Sequence, residues 1–325
     1  MGIVKLLITI LSLIIITGCF PNAKFNLISD SSEPLVEFTV EGSGKNKILI
    51  LPVTGVISSQ AKKTFLTSGS SLVQEVLAQL KKAELDPFVK AVILKVDSPG
   101  GTVTASDILY NEIKKFREKT NKPVVASILN VGASGAYYLS LPADNIIAHP
   151  TSIVGSVGVI FMRPKFRGLM DKIGIDVAVS KSGKNKDLGS PFNATSKNEE
   201  EYFQIVTDKL ASRFFSLVQK HRNLSEASLE EVKTAAIYLP EKAKQLGLID
   251  DIGYLPDVIA KAKFLAKISD DIHIITYRRN KFSNDTLYNS AGALSTPGKI
   301  ADFKIPGLTV DAGFYYLSPL FSGMD

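Results

Sequence analysis

The chain has 325 residues, 45% hydrophobic and 22% charged, with a formal net charge of +6 and a single cysteine, Cys19. This is ordinary globular material, enough for one large domain or two small ones, and one cysteine excludes an intrachain disulfide or a Cys-rich metal site. Basic residues alternate with acidic ones, as in Lys114-Lys115-Phe116-Arg117-Glu118-Lys119, the pattern of a solvated helix face, so the charge gives no support to nucleic-acid binding.

At the N-terminus, Lys5 precedes the uncharged run Leu6 to Thr17. The run has the length of a signal-peptide apolar segment and falls short of the ~20 apolar residues that a membrane-spanning helix needs. It ends in Ile16-Thr17-Gly18-Cys19. An aliphatic residue, two small ones and then Cys is the pattern of a bacterial lipoprotein signal, in which the Cys is lipidated and becomes the new N-terminus. An ordinary export signal or an uncleaved anchor helix is the competing reading, and the solitary status of Cys19 favours lipidation. Residues 1–19 are therefore expected to form a lipoprotein signal peptide. The folded part is then lipid-anchored to a bacterial membrane in the cell envelope, on the non-cytoplasmic side. Residues 20–45, with Pro, Asn, Ser, Gly and acidic residues and little periodicity, read as a tether.

Lys47 to Val53 is a short apolar run that predicts a buried strand. Ser71 to Ala83 places Leu72, Val76 and Leu80 on one helical face, and Asp86-Pro87 ends that helix. Ala91 to Val96 predicts a second buried strand, closed by Asp97-Ser98-Pro99-Gly100-Gly101, and a helix follows through Phe116. A third strand begins at Val124, after the breaker Asn121-Lys122-Pro123. Short strands are expected at Ile146 to Ala148 and Val177 to Val179, with a helix around Phe166 to Ile173 between them. Ser196-x-x-Glu199 predicts a capping box opening a long helix to about His221, Ser228-x-x-Glu231 another opening a shorter one, and a last helix is expected near Tyr254 to Ala266. Strands alternating with helices predict an α/β domain with a largely parallel sheet covered on both faces, from about 46 to 268. Residues 269–325 are weakly patterned and read as an extension wrapped on the core or on a neighbour.

Three segments carry chemistry. In Val131-Gly132-Ala133-Ser134-Gly135-Ala136-Tyr137-Tyr138 a buried strand runs into a turn of small residues with a Ser at its tip, and a helix starts directly after it. A nucleophile needs that placement, although a Ser there also serves as a plain helix cap. In Asp97-Ser98-Pro99-Gly100-Gly101, paired glycines after a strand expose backbone N–H groups. With the N–H of Gly135 they make an oxyanion hole worth roughly 3 kcal/mol per donor; a tight strand-to-helix turn is the plainer reading. The histidines His149, His221 and His273 sit in no triad-like motif. The remaining candidate base is a lysine of the loop Lys181-Ser182-Gly183-Lys184-Asn185-Lys186-Asp187, made neutral by burial and nearby donors. Chemistry alone does not choose among its three lysines.

Together with Gly155-Ser156-Val157-Gly158-Val159 and Leu246-Gly247-Leu248-Ile249-Asp250, these segments resemble the Ser/Lys signal peptide peptidases of the Clp-protease/crotonase superfamily, over about Ile48 to Ala266. The resemblance implies a ClpP/crotonase-like spiral of repeated strand–helix units as a single catalytic domain. It implies Ser134 as nucleophile and selects Lys186 as base, because the family's lysine directly precedes the Asp. It implies Gly101 and Gly135 as oxyanion donors and Ser156 as the hydroxyl that orients the lysine. It further implies acyl transfer with no cofactor or metal, hydrophobic membrane-derived peptides such as cleaved signal peptides as substrates, and a ring-like homo-oligomer in which the Ser of one protomer meets the Lys of the next. Ala136 stands where a second Gly is usual, and Ala235-Ala236-Ile237 replaces a Gly-Arg-Val stretch. A crotonase-like acyl-CoA enzyme and a non-catalytic lipoprotein scaffold of the same fold are the alternatives.

Overall fold

A computed structural model describes residues 33–63, 68–269, 271–279, 281–282, 285–288 and 313–317. Residues 1–19, and with them Cys19, lie outside the described residues. In chain order the elements begin with β1 (Val36–Gly42), β2 (Asn46–Thr54), β3 (Lys62–Lys63), β4 (Ser68–Gly69), α1 (Leu72–Leu85), β5 (Val89–Ser98), β6 (Gly100–Thr102) and α2 (Val103–Thr120). Then come β7 (Val124–Ala133), α3 (Gly135–Ser140), β8 (Asn145–Ala148), β9 (Ile153–Gly155), β10 (Ile160–Met162) and α4 (Arg167–Ile173). The chain continues with α5 (Lys197–Arg222), α6 (Glu226–Val232), β11 (Ile237–Tyr238), α7 (Pro240–Gln245), β12 (Asp251–Ile252), α8 (Leu255–Leu265), β13 (Ile272–Arg278) and β14 (Gly313–Leu317).

The main sheet runs β1-β13-β2-β5-β7-β8-β12, with β9 and β11 attached beyond β7. Its centre is parallel, because each of β2, β5 and β7 is followed by a helix that returns the chain to the same end of the sheet. The central strands are apolar on both faces, as a doubly covered sheet requires. One face packs Leu49, Leu51, Val92, Leu94 and Val96 against the helices that carry Leu80, Leu109, Ile113, Tyr138 and Phe214. The other packs Ile48, Ile93 and Val125 under Leu255, Val258 and Ala262 of α8. The α/β expectation therefore holds.

Several local expectations change. The sheet extends past both expected boundaries: β1 lies in the stretch read as a tether, and β13 in the stretch read as an extension, where it pairs in parallel with β2. Neither strand has the long apolar run that marks a central one: β1 forms an exposed edge, and β13, although mostly buried, mixes His273, Thr276 and Arg278 among its apolar residues. The expected strand at Val177 to Val179 is absent: the segment has no ladder partner among the described residues, and Ile175, Val177 and Val179 are half exposed. Alternating apolar residues make a strand only where a second strand is available. The short helix α6 is capped by Ser225, whose hydroxyl accepts from the Ser228 N–H, so Ser228 lies inside the helix rather than before it. The Ser196 cap forms, but Glu199 turns to Arg163 and Lys165 instead of completing the box.

Candidate active site

The last buried residues of β7 deliver Ser134 to the start of α3. Ser134 has φ 53° and ψ −116°, a conformation that a residue with a side chain adopts only when its surroundings enforce it. Two backbone bonds enforce it: Ser134 N donates to Gly155 O at 2.7 Å, and Tyr138 N donates to Ser134 O at 2.9 Å. The Ser134 hydroxyl makes no cap bond, so plain capping does not account for it. Only small residues fit the approach, since a Cβ on Gly132 would sit 2.7 Å from the Ile128 side chain. Ser134 is buried at 2% exposure. Gly135 follows as the first helical residue, and a first-turn N–H has no acceptor within its own helix.

The second segment is built by β5 and β6. Gly100 has φ 104°, open to glycine at little cost, and its N–H donates to Ser98 Oγ at 3.1 Å. Gly101 is needed for space rather than for angle, because a Cβ there would fall 1.9 Å from Ile57 O. Ile57 N donates to Gly100 O, and Thr102 N donates to Ile57 O. Strand alternation then turns the N–H and C=O of Gly101 itself to the opposite edge. On that edge lies β14, antiparallel, with Tyr316 opposite Gly101. The other edge of β14 pairs antiparallel with β10. Ser98 pairs with Gly132 across the main sheet, and Asp97 Oδ1 accepts from Val131 N at 3.3 Å, which locks this turn to the Ser134 turn. Burial holds the Asp97 carboxyl above its ordinary range. In the sequence, this role of Asp97 and Ser98 is marked only by their position at the end of an apolar run.

Ser156 comes next to Ser134. Ala133 is paired with Gly155 in the parallel β7–β9 ladder, so the two serines leave neighbouring strand ends, and adjacent strands lie about 4.8 Å apart. Ser156 also has a positive φ, 51°, and its N–H donates to Ala236 O at 2.8 Å. The Ala235-Ala236-Ile237 departure thus supports Ser156 directly.

Lys186 is placed differently. It lies exposed in a turn, with its N–H on Gly183 O at 3.1 Å. Asp187 pairs with Lys181 at 2.7 Å and accepts from Asn193, which holds its carboxyl below the ordinary range. Among the described residues no hydrogen bond links Lys186 to Ser134 or Ser156. The whole excursion is closed at its base, where Phe166 N donates to Pro191 O and Lys165 donates to Ser190 O. The chain therefore brings Ser134, Gly135, Gly101 and Ser156 to one place and leaves Lys186 on a separate, exposed loop.

The histidines have other partners. His149 bonds Thr151, His273 bonds Thr39, and His221 bonds Tyr110 at 2.8 Å, with burial pushing the His221 imidazole below its ordinary value. Among the described residues no cluster could hold a metal ion, and no helix is long and apolar enough to cross a membrane.

A family model described as peptidase family S49 matches residues 116–269, a span that contains Ser134, Ser156 and Lys186. A protein of Enterococcus faecium named as a signal peptide peptidase, SppA, is 34% identical over 262 residues, covering 80% of this chain and 74% of its own. The chain belongs to peptidase family S49. A protein of Methanocaldococcus jannaschii named as a protease is 42% identical over 191 residues, 59% of this chain and 61% of its own. A chloroplastic protein of Arabidopsis thaliana named serine protease SPPA is 33% identical over 227 residues, and this chain spans only 33% of its length. The resemblance read from the motifs thus leads to the right family.

Proposed function

We propose that this S49 member is a membrane-associated serine endopeptidase in which Ser134 attacks a peptide carbonyl and Lys186 accepts its proton. The observation that carries the proposal is the Ser134 turn: a buried serine in an enforced positive-φ conformation, no cap bond on its hydroxyl, and Gly135 and Gly101 beside it. In this mechanism the Ser134 oxygen bonds to the carbonyl carbon as its proton passes to Lys186 Nζ. The N–H of Gly135, and that of Gly101 once peptide takes the place of β14 on its edge, bind the developing oxyanion. The lysine returns the proton to the leaving amine, and water then releases the acyl group from Ser134. Ser156, at the neighbouring strand end, orients the lysine.

An extended peptide would run along the edges of β6 and β10, the two edges on which the chain's own β14 lies. Such edges recognise main chain, with side-chain preference set by the flanking surface. Hydrophobic peptides left in a membrane, such as cleaved signal peptides, fit a lipid anchor at Cys19 that holds the site near the bilayer. A homo-oligomer, a ring by analogy with the family, would bring Lys186 of one copy to Ser134 of the next. The exposed residues Leu169, Ile173, Ile175, Val177 and Val179 lie on the same excursion as Lys186 and would be covered by that contact.

A fluorophosphonate probe tests the enzyme reading: it should label Ser134, and an unlabelled Ser134 in active protein would refute the nucleophile assignment. Intact-mass analysis of membrane-extracted protein tests the anchor, since an unmodified Cys19 would rule it out.

A further inference from the structure

Three helices start at the three parts of the proposed site. The first, α2, begins after Gly101-Thr102; α3 begins after Ser134; α5 begins beyond the Lys186 excursion. They meet at Asp107 and Tyr138, one turn into α2 and α3, and at Arg213, about four turns along α5. There Tyr138, fully buried and bonded through its N–H to Ser134 O, donates its hydroxyl to Asp107 Oδ1 of α2 at 2.5 Å. Arg213 of α5 donates to the same Asp107 oxygen through Nη2 at 2.7 Å and Nε at 3.2 Å. The Tyr138 ring is held edge-on by Tyr110 of α2 at 5.4 Å and by Phe214 of α5 at 4.9 Å.

We propose that Asp107, Tyr138 and Arg213 form a positioning cluster that fixes the Ser134 turn against the oxyanion loop and against the helix that carries the base excursion. The inference rests on the peptidase reading and assigns roles that its chemistry does not require. A hydroxyl buried in an aromatic cluster is unfavourable when unpaired, so apolar packing alone would favour phenylalanine at position 138. The retained hydroxyl reaches a carboxylate that is itself held from a third helix, and a charge-assisted bond is directional where packing is not. A tilt of α3 about its packed ring would displace Ser134 and the Gly135 N–H together. Misplacement by an ångström costs about 10²-fold in rate. Asp107 and Arg213 are partly exposed, with side chains at 38% and 53%, so their ion pair contributes little to stability. Its value lies in orientation.

The test uses the full-length protein and the variant Tyr138→Phe, which keeps the ring and removes only the hydroxyl. The cluster predicts at least a 10-fold slower fluorophosphonate labelling of Ser134 and a kcat loss of similar size with KM unchanged. Asp107→Ala should lose as much and Asp107→Asn, which retains an acceptor oxygen, should recover most of the rate. The double variant Tyr138→Phe/Asp107→Ala should lose no more than either single one. Tyr137→Phe is the control: it removes a buried hydroxyl from the same helix, bonded to Leu248 O at 2.7 Å and not to Asp107. It should lower stability as much while leaving labelling near wild type. Wild-type labelling rates in Tyr138→Phe, or equal rate losses in Tyr138→Phe and Tyr137→Phe, would overturn the cluster. If wild-type protein is not labelled at all, the peptidase reading fails, and hydrogen exchange of peptides spanning 98–106 and 131–138 decides the cluster separately. Faster exchange in both peptides for Tyr138→Phe supports it; unchanged exchange overturns it.

Discussion

The two halves of the proposed dyad occupy opposite kinds of structure. Ser134 sits at the junction of β7, β9 and α3, buried, with its backbone fixed on both sides. Lys186 sits on an excursion between Phe166 and Pro191 that is pinned at its base and exposed from 171 to 186. The nucleophile needs a defined direction of attack, and a ladder of backbone bonds supplies one. A lysine base needs loss of water, which an exposed turn does not supply. The contrast teaches that one chain fixes the Ser134 turn by itself, while Lys186, as the base of the proposed mechanism, needs a further surface to cover it.

The largest effect should come from either half of the dyad. Lys186→Ala and Ser134→Ala are each expected to lower peptide cleavage by about 10³-fold or more, the scale of losing a nucleophile or its base. Lys184→Ala should lose little. Equal losses at Lys184 and Lys186, measured in the same peptide assay, would show that the excursion acts through its shape and not through one base.

Gly101→Ala tests how finely the buried half is set. Its Cβ would fall 1.9 Å from Ile57 O, so the loop must move and the Gly101 N–H with it. A kcat loss on the order of 10²-fold is expected, in line with losing one oxyanion donor. Unchanged kcat in a folded variant would remove Gly101 from the mechanism.

How far this contrast could be read from the sequence differs between its halves. The apolar runs of β2, β5 and β7 announced the parallel centre, and the Ser134 and Gly101 turns follow those runs directly. The outer strands were hidden, because β1 and its neighbour β13 lack a long apolar run and β14 lies in a weakly patterned tail. Register was hidden too. That Ala133 faces Gly155, and so sets Ser156 beside Ser134, depends on strands brought together by the fold. The Asp107–Arg213 pair joins helices far apart in the chain, and no local pattern marks it. Val177 to Val179 misled because its alternation describes a strand that finds no partner among the described residues.

Two smaller effects sharpen the account. Deleting residues 313–325 clears the edges of β6 and β10, and should raise cleavage of short peptides several-fold; unchanged or lower rates would mean that peptide does not use those edges. Stability should also rise in a defined alkaline window. Burial of Lys95 on β5 lowers its pKa from 10.5 to about 8. Between these values the unfolded chain binds a proton that the folded chain does not, so stability climbs with pH there, by up to about 3 kcal/mol, and the gain is absent below about pH 8. Denaturant unfolding from pH 8 to 10 should reveal that slope in wild type and a flatter one in Lys95→Met. Identical slopes would show that Lys95 stays protonated.

The central claim is that each copy supplies a finished nucleophile and borrows its base. Mixing Ser134→Ala protein with Lys186→Ala protein, each inactive alone, tests it directly, with subunit exchange verified by sizing or native mass spectrometry. The account predicts that peptide cleavage returns, because some contacts then pair an intact Ser134 with an intact Lys186. Mixed assemblies that have exchanged subunits and remain inactive would contradict it.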